Sequence, residues 1–288
     1  MRVVCDWHHT DQNSPTAYEY LLRVTRQRID TLLAERGLSR SRTEAAASVR
    51  AGQVRLGPDG PLAKRPSELV AVDAELTVES PPPFVSRGGV KLANALDAFG
   101  IDVAGRDCLD VGASTGGFTD CLLQRGAGRV IALDVGYGQL EWSLRNDERV
   151  TVAERVNARG IDPADLPFMP SLATVDVSFI ALEKVLPAVS RCLADGGEIL
   201  ALVKPQFEVG RKRVRAGVVR DPADRREALL GVAAAASRLN LALCGFASSG
   251  LPGPKGNRET FAWLSTDESR AVHAEQAALA VEPEEVPA

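Results

Sequence analysis

A glycine-rich run, Leu109-Asp110-Val111-Gly112-Ala113-Ser114-Thr115-Gly116-Gly117-Phe118, follows an apolar segment and precedes a helical one. Glycines let a chain turn sharply and come close to a ligand at the carboxyl end of a strand, where open α/β sheets bind nucleotides. Asp134 closes the next apolar run, 22 residues after Gly112, about where a carboxylate accepts hydrogen bonds from a ribose diol. Together these residues indicate an adenosine-type ligand. The turn reads G-x-x-x-G-G, which is neither the G-x-G-x-x-G of dinucleotide folds nor a P-loop, so a pyrophosphate cradle is poorly supported. S-adenosylmethionine, which carries adenosine without a phosphate, fits better than NAD. Read without a ligand, the run is a tight strand-to-helix turn, and that reading leaves Asp134 unexplained. A second constellation is dispersed: Lys91 on a helix before the turn, Asp176 and Lys204 at the ends of apolar runs, and Glu259 near a late strand. Each alone would be an ordinary surface charge; two amines and two carboxylates converging on one sheet edge would not.

These groups need a scaffold, and 288 residues suffice for two domains. Apolar residues at 45% and charged residues at 25% describe a folded chain rather than a disordered one or a disulfide scaffold. Residues 1–25 show no period and read as a flexible extension. Ile29, Leu32 and Leu33 share one helical face closed by Gly37. Ser41, three residues before Glu44, opens a second helix that runs to Arg50. Val54 and Leu56 lead into a Pro58-Asp59-Gly60 turn, and Leu69 to Val78 alternates as a half-buried strand does. Pro81-Pro82-Pro83 cannot continue a sheet, which places a linker at 81–86 between a small α+β domain at 26–80 and a larger one at 87–267. The larger domain alternates strands (Cys108–Val111, Val130–Val135, Ala173–Val177, Glu198–Val203) with helices (Gly89–Phe99, Phe118–Arg125, Leu140–Arg145, Leu182–Leu193, Pro222–Leu239). That order gives a doubly wound α/β sheet. Residues 268–288 read as a frayed acidic tail.

Charge is unevenly spread. The net charge is −4, yet Arg26 to Arg65 holds nine Lys/Arg against four Asp/Glu, while Thr266 to Ala288 holds six acids and one base. Screening confines such interactions to about 10 Å at moderate salt, so a basic N-terminal module can grasp a polyanion beside an acidic tail. The five cysteines lack metal-ligand spacing, and His8 and His9 sit on an unanchored terminus, so no metal is expected. No apolar run reaches the roughly 18 residues of a membrane span and no signal peptide is evident, which predicts a cytoplasmic protein without a membrane role. A monomer is expected.

The chain resembles the TlyA family, known both as hemolysins and as ribosomal-RNA 2'-O-methyltransferases, over roughly Arg26 to Thr266. The resemblance rests on Arg28-Ile29-Asp30, Gly37-Leu38-Ser39-Arg40-Ser41-Arg42, Val85-Ser86-Arg87-Gly88-Gly89-Val90-Lys91-Leu92, the glycine turn, Asp134-Val135-Gly136-Tyr137-Gly138-Gln139-Leu140, Lys204-Pro205-Gln206-Phe207-Glu208 and Pro252-Gly253-Pro254-Lys255-Gly256-Asn257. It implies an S-four-like RNA-binding domain followed by an FtsJ-like, Rossmann-like methyltransferase domain. It further implies that Lys91, Asp176, Lys204 and Glu259 form a catalytic tetrad, and that Gly112, Ser114, Gly116, Gly117, Phe118 and Asp134 surround S-adenosyl-L-methionine. RNA would be bound by Arg28, Arg40, Arg42, Arg50 and Arg87, and the product would be 2'-O-methylcytidine in 16S or 23S ribosomal RNA, or both.

The chemistry is consistent with those implied roles. A ribose hydroxyl is a poor nucleophile, so it must be aligned with the donor methyl and relieved of a proton. Two neighbouring amines each favour the other's neutral form, and the carboxylates orient them. Lys204 is the expected base and Lys91 the residue that orients the hydroxyl. The run Arg211-Lys212-Arg213 with Arg215 and Arg220 reads either as a solvated loop or as a phosphate-binding one. Three other classes compete. A membrane-active hemolysin would need a signal, a span or a long cationic amphipathic helix. An inactive ribosome-binding protein would not need a complete tetrad, and a nicotinamide oxidoreductase would need a different glycine turn.

Overall fold

The computed structural model describes residues 25–79 and 83–283. Residues 1–24 with Cys5, His8 and His9, linker residues Pro81 and Pro82, and the last tail residues 284–288 lie outside the described residues. The chain divides into a unit ending at Pro81 and one beginning at Pro82.

In the first unit β1 (Arg26–Arg28) runs into α1 (Ile29–Glu35), and α2 (Arg42–Arg50) leads to β2 (Val54–Leu56), β3 (Leu69–Ala71) and β4 (Leu76–Val78). Two antiparallel pairs form, β1 with β3 and β2 with β4. Ile29, Leu32 and Leu33 from α1 meet Ala45 and Val49 from α2 in a small core. Ser41 caps α2 by accepting the Glu44 N–H, while the Glu44 carboxylate accepts from the Arg40 N–H and guanidinium rather than from Ser41. The alternation at 69–78 is two short strands rather than one, broken by a turn at 72–75.

The second unit is built on a seven-stranded sheet. Its strands are β5 (Asp107–Val111), β6 (Arg129–Asp134), β7 (Val150–Glu154), β8 (Leu172–Val175), β9 (Glu198–Val203), β10 (Ala242–Ser248) and β11 (Thr260–Ser265), in the spatial order β10-β11-β9-β8-β5-β6-β7. Strands β5 to β9 are parallel, and β11 is antiparallel to both neighbours. One face packs on α3 (Arg87–Phe99) and α4 (Gly117–Gln124), and the other on α6 (Leu186–Arg191), α8 (Pro222–Ser237) and α9 (Ala274–Val281); α5 (Trp142–Arg145) and α7 (Pro205–Glu208) are single turns at the functional edge. All six residues of β9 are buried, as expected for a central strand covered on both faces.

The tail expected to fray from residue 268 does not do so through residue 283. In α9, Ala278 is buried in the core behind the sheet. Just beyond it, Glu282 accepts two hydrogen bonds from Arg225 of α8, at 2.8 and 2.7 Å. Buried apolar surface and a paired charge outweigh the acidic composition that made the segment look solvated. No helix among the described residues is long and apolar enough to cross a membrane.

Candidate active site

The sheet explains how four distant residues meet. In the parallel register Val111 lies beside Val175, and Val175 beside Ala201, so the chain leaves β5, β8 and β9 at one edge. Asp176 and Lys204 are the first residues past β8 and β9. Because β11 is antiparallel, its first residue, Thr260, pairs with Val203, which delivers Glu259 to the same edge. Lys91 arrives from α3. All four line one cavity of about 610 Å³ together with Gly112, Ser114, Gly117 and Phe118.

Within it the charges form two ion pairs. Lys91 Nζ is 2.5 Å from Glu259 Oε2, both side chains being buried. Lys204 Nζ is 2.5 Å from Asp176 Oδ1 and donates to Ser178 Oγ at 3.0 Å. Asp176 Oδ1 is buried and has no partner in hydrogen-bond geometry, so its contact with Lys204 is one of charge. Instead of the two amines acting chiefly on each other, each lysine faces its own carboxylate.

The glycine turn is shaped by close approach. Gly112 has φ +88, and a Cβ there would lie 2.5 Å from the Asp176 carbonyl oxygen; only glycine lets the two loops meet this closely. At Gly116, φ is +96 and a Cβ would strike Leu144 and Leu140. Asp134 ties the turn to the loop after β6, one carboxylate oxygen accepting the Ser114 N–H at 2.8 Å and the other the Gly136 N–H at 2.6 Å. Each oxygen retains a lone pair for a further donor. Asp134 lines a second cavity, about 1060 Å³, which shares Gly112, Ser114, Asp176, Phe179 and Gln206 with the first. The two cavities thus adjoin at the glycine turn. Gly116 is buried and lines neither cavity, and Phe118 packs chiefly on Phe261, 5.8 Å away.

Two site residues had no assigned role in the sequence. Asp110, fully buried, accepts from the N–H and hydroxyl of Thr119 at 2.9 and 2.7 Å and so moors the first turn of α4 to β5. Burial pushes its carboxyl up to about 7. Phe179 is 92% exposed at φ +65, lines both cavities and lies 5.2 Å from Phe207. A bulky residue in the left-handed region is uncommon, and such strain gathers at functional sites. The burial and φ of neither residue can be read from sequence, although Asp110 lies inside the glycine-rich run.

The expected RNA-contacting arginines divide. Arg28 and Arg42 both pair with the buried Asp30 of α1, whose carboxyl Arg28 above all holds down at about 2. Arg40 pairs with Glu44 at 2.9 Å. Arg50 is exposed and has no ion pair among the described residues, and Arg87 lines the cavity of about 610 Å³ in the second unit. No group of three or more metal-ligating side chains occurs among the described residues.

The FtsJ-like methyltransferase family matches residues 84–266. The 16S/23S rRNA (cytidine-2'-O)-methyltransferase TlyA of Mycobacterium tuberculosis is 52% identical over 252 residues, covering 86% of this chain and 93% of that one. Hemolysin A of Brachyspira hyodysenteriae is 38% identical over 82% of this chain and 98% of its own. A solved structure from Streptococcus thermophilus, described as a candidate hemolysin, superposes with a TM-score of 0.67 at 39% identity, covering 88% of this chain and 95% of that one.

Proposed function

This chain belongs to the FtsJ-like methyltransferases and, within them, to the TlyA family, and from that premise we propose that it methylates the ribose 2'-oxygen of a cytidine in ribosomal RNA. The observation that carries the reading is the convergence of Lys91, Asp176, Lys204 and Glu259 in one cavity beside the glycine turn. S-adenosyl-L-methionine fits the adjoining cavity: Asp134 offers free lone pairs for a ribose diol, and Gly112 leaves the turn open where a side chain would not fit. When bound there it supplies an electrophilic methyl group. Lys204, having first released a proton to solvent, takes the 2'-hydroxyl proton in its neutral form while Asp176 holds the ammonium that results, and the Lys91–Glu259 pair orients the hydroxyl in line with the methyl. The Lys91–Glu259 pair is nearly out of water, with side chains 9% and 1% exposed, which strengthens its mutual attraction.

The test is incorporation of labelled methyl from S-adenosylmethionine into RNA by the purified protein, with 30S and 50S ribosomal subunits as separate substrates. Label in the RNA of either subunit supports the reading. Label in neither, from protein shown to bind S-adenosylhomocysteine, would contradict it.

Two variants probe the two cavities separately. Asp134→Ala unties Ser114 and Gly136 and removes the ribose acceptor, so calorimetric affinity for S-adenosylhomocysteine should fall roughly 10- to 100-fold, as expected for lost hydrogen bonds to a charged group. Unchanged affinity would remove Asp134 from the cofactor site. Phe179 presents an exposed ring at the cavity mouth, and stacking on an aromatic face contributes about 1–3 kcal/mol per base. Phe179→Ala should therefore lower kcat/KM for RNA roughly 10- to 100-fold while S-adenosylhomocysteine affinity holds, and Phe179→Tyr should restore most of it. An equal loss in the tyrosine variant would argue against stacking.

A further inference from the structure

We propose that a basic rim formed by residues 212–220 and 252–257, latched by Asn257, grips RNA phosphates flanking the target nucleotide. The proposal rests on the methyltransferase reading and adds to it a second RNA-holding surface on the catalytic unit itself. Val214 and Gly217 of the first loop and Pro254, Lys255 and Asn257 of the second line the wall of the reaction cavity. In these two loops Lys212, Arg215, Arg220 and Lys255 are exposed. Among the described residues none of the four has an acidic partner, whereas Arg213 in the same loop is tied to Asp224 and Glu227. Arg87, also exposed and without an ion pair, adds a cation on the α3 side of the same cavity.

In the first unit Arg28, Arg40 and Arg42 have their charge largely answered by Asp30 and Glu44, and Arg50 is left, like the rim's cations, without an ion pair among the described residues. Unpaired cations in a loop ordinarily repel one another and spread into solvent, so holding them needs a device. Asn257, 2% exposed, supplies it: its Oδ1 accepts the Val219 N–H at 3.0 Å and its Nδ2 donates to the Gly217 carbonyl at 2.7 Å. One buried carboxamide thus clasps the basic loop to the loop that carries Lys255 and leads to Glu259. A polyanion with regularly spaced charges matches such a surface, because each phosphate neutralised releases condensed counterions.

The experiment compares wild type with the triple variant Lys212→Ala/Arg215→Ala/Arg220→Ala and with Asn257→Ala, using ribosomal subunits and S-adenosylmethionine. KM for RNA, its salt dependence, the single-turnover rate at saturating RNA and S-adenosylhomocysteine affinity are measured for each. The triple variant should raise KM by at least roughly tenfold near physiological salt and flatten the log–log salt slope by about 2 to 3, close to one per lost phosphate contact. Its saturating rate and S-adenosylhomocysteine affinity should stay within about twofold of wild type. Asn257→Ala retains every cation, so it should raise KM by roughly 3- to 10-fold, with S-adenosylhomocysteine binding confirming an intact fold. An unchanged KM and slope in the triple variant would overturn the rim. So would a loss of saturating rate at constant KM, which would make the loop part of the cavity's shape instead. An unchanged Asn257→Ala would overturn the latch. Absence of RNA methylation by the wild type would count against the methyltransferase reading; a wild-type signal undiminished in the variants counts against the rim alone.

Discussion

Replacing Lys204 by alanine is expected to lower the single-turnover rate of methyl transfer by roughly 10²–10⁴-fold, about 3–5 kcal/mol of barrier, the range typical of a lost general acid–base group. Lys204 stands at the exit of β9, faces Asp176 and donates to Ser178. Its removal leaves Asp134 and the glycine turn in place, so S-adenosylhomocysteine affinity should hold. It also leaves the exposed basic residues untouched, so RNA affinity should change little. Measured at saturating RNA and cofactor, the rate isolates the chemical step. A loss confined to RNA affinity, with the saturating rate unchanged, would make Lys204 a phosphate anchor. The Asp134→Ala variant is the matched control, because it should fail first in cofactor binding.

The second large effect is one of stability. Arg225 and Glu282 are a buried pair, with side chains 8% and 4% exposed. Arg225 also donates to the Arg220 carbonyl at 2.6 Å, and Arg226 to the Glu282 carbonyl at 3.0 Å. Removing Arg225 leaves the buried Glu282 carboxylate with only the more distant Arg258, 3.7 Å away, and breaking a buried ion pair costs about 3–5 kcal/mol. Arg225→Ala should therefore lower the thermal midpoint by roughly 2–4 °C for each kcal/mol lost in a unit of this size. The double variant Arg225→Met/Glu282→Leu, which removes both charges and keeps the volume apolar, should recover most of that loss. If Arg225→Ala melted like wild type, the packing of α9 and Glu282 against α8 would be wrong.

The sequence exposed the site more readily than its frame. The glycine turn, Asp134, Asp176 and Lys204 stood out because glycines or charges directly follow, or close, an apolar run, whereas Lys91 and Glu259 joined the candidate set only in combination with them. Strands β5, β6, β8 and β9 were legible for the same reason, since strands buried on both faces are nearly continuous apolar runs. By contrast, β7 has no fully buried residue and β10 carries Gly245 at a register shift, so neither offers a clean period. The antiparallel turn of β11, which brings Glu259 to the edge, is a property of the whole sheet and leaves no local mark. The tail was misread for a related reason: composition weighed Glu282 as a solvated acid, and its partner Arg225 lies 57 residues earlier. The Arg28 and Arg42 pairings escaped notice because Asp30 turns inward, a direction that spacing does not fix.

The central claim is that a methyl group reaches the ribose 2'-oxygen of a cytidine, and nucleoside mass spectrometry tests it most directly. Ribosomal subunits lacking the modification would be incubated with the protein and deuteromethyl-labelled S-adenosylmethionine, and the RNA digested to nucleosides. The account predicts label in 2'-O-methylcytidine, with the mass increment carried by the sugar fragment, and its loss in Lys204→Ala. Label on a base fragment, or in 2'-O-methyl nucleosides other than cytidine, would contradict it.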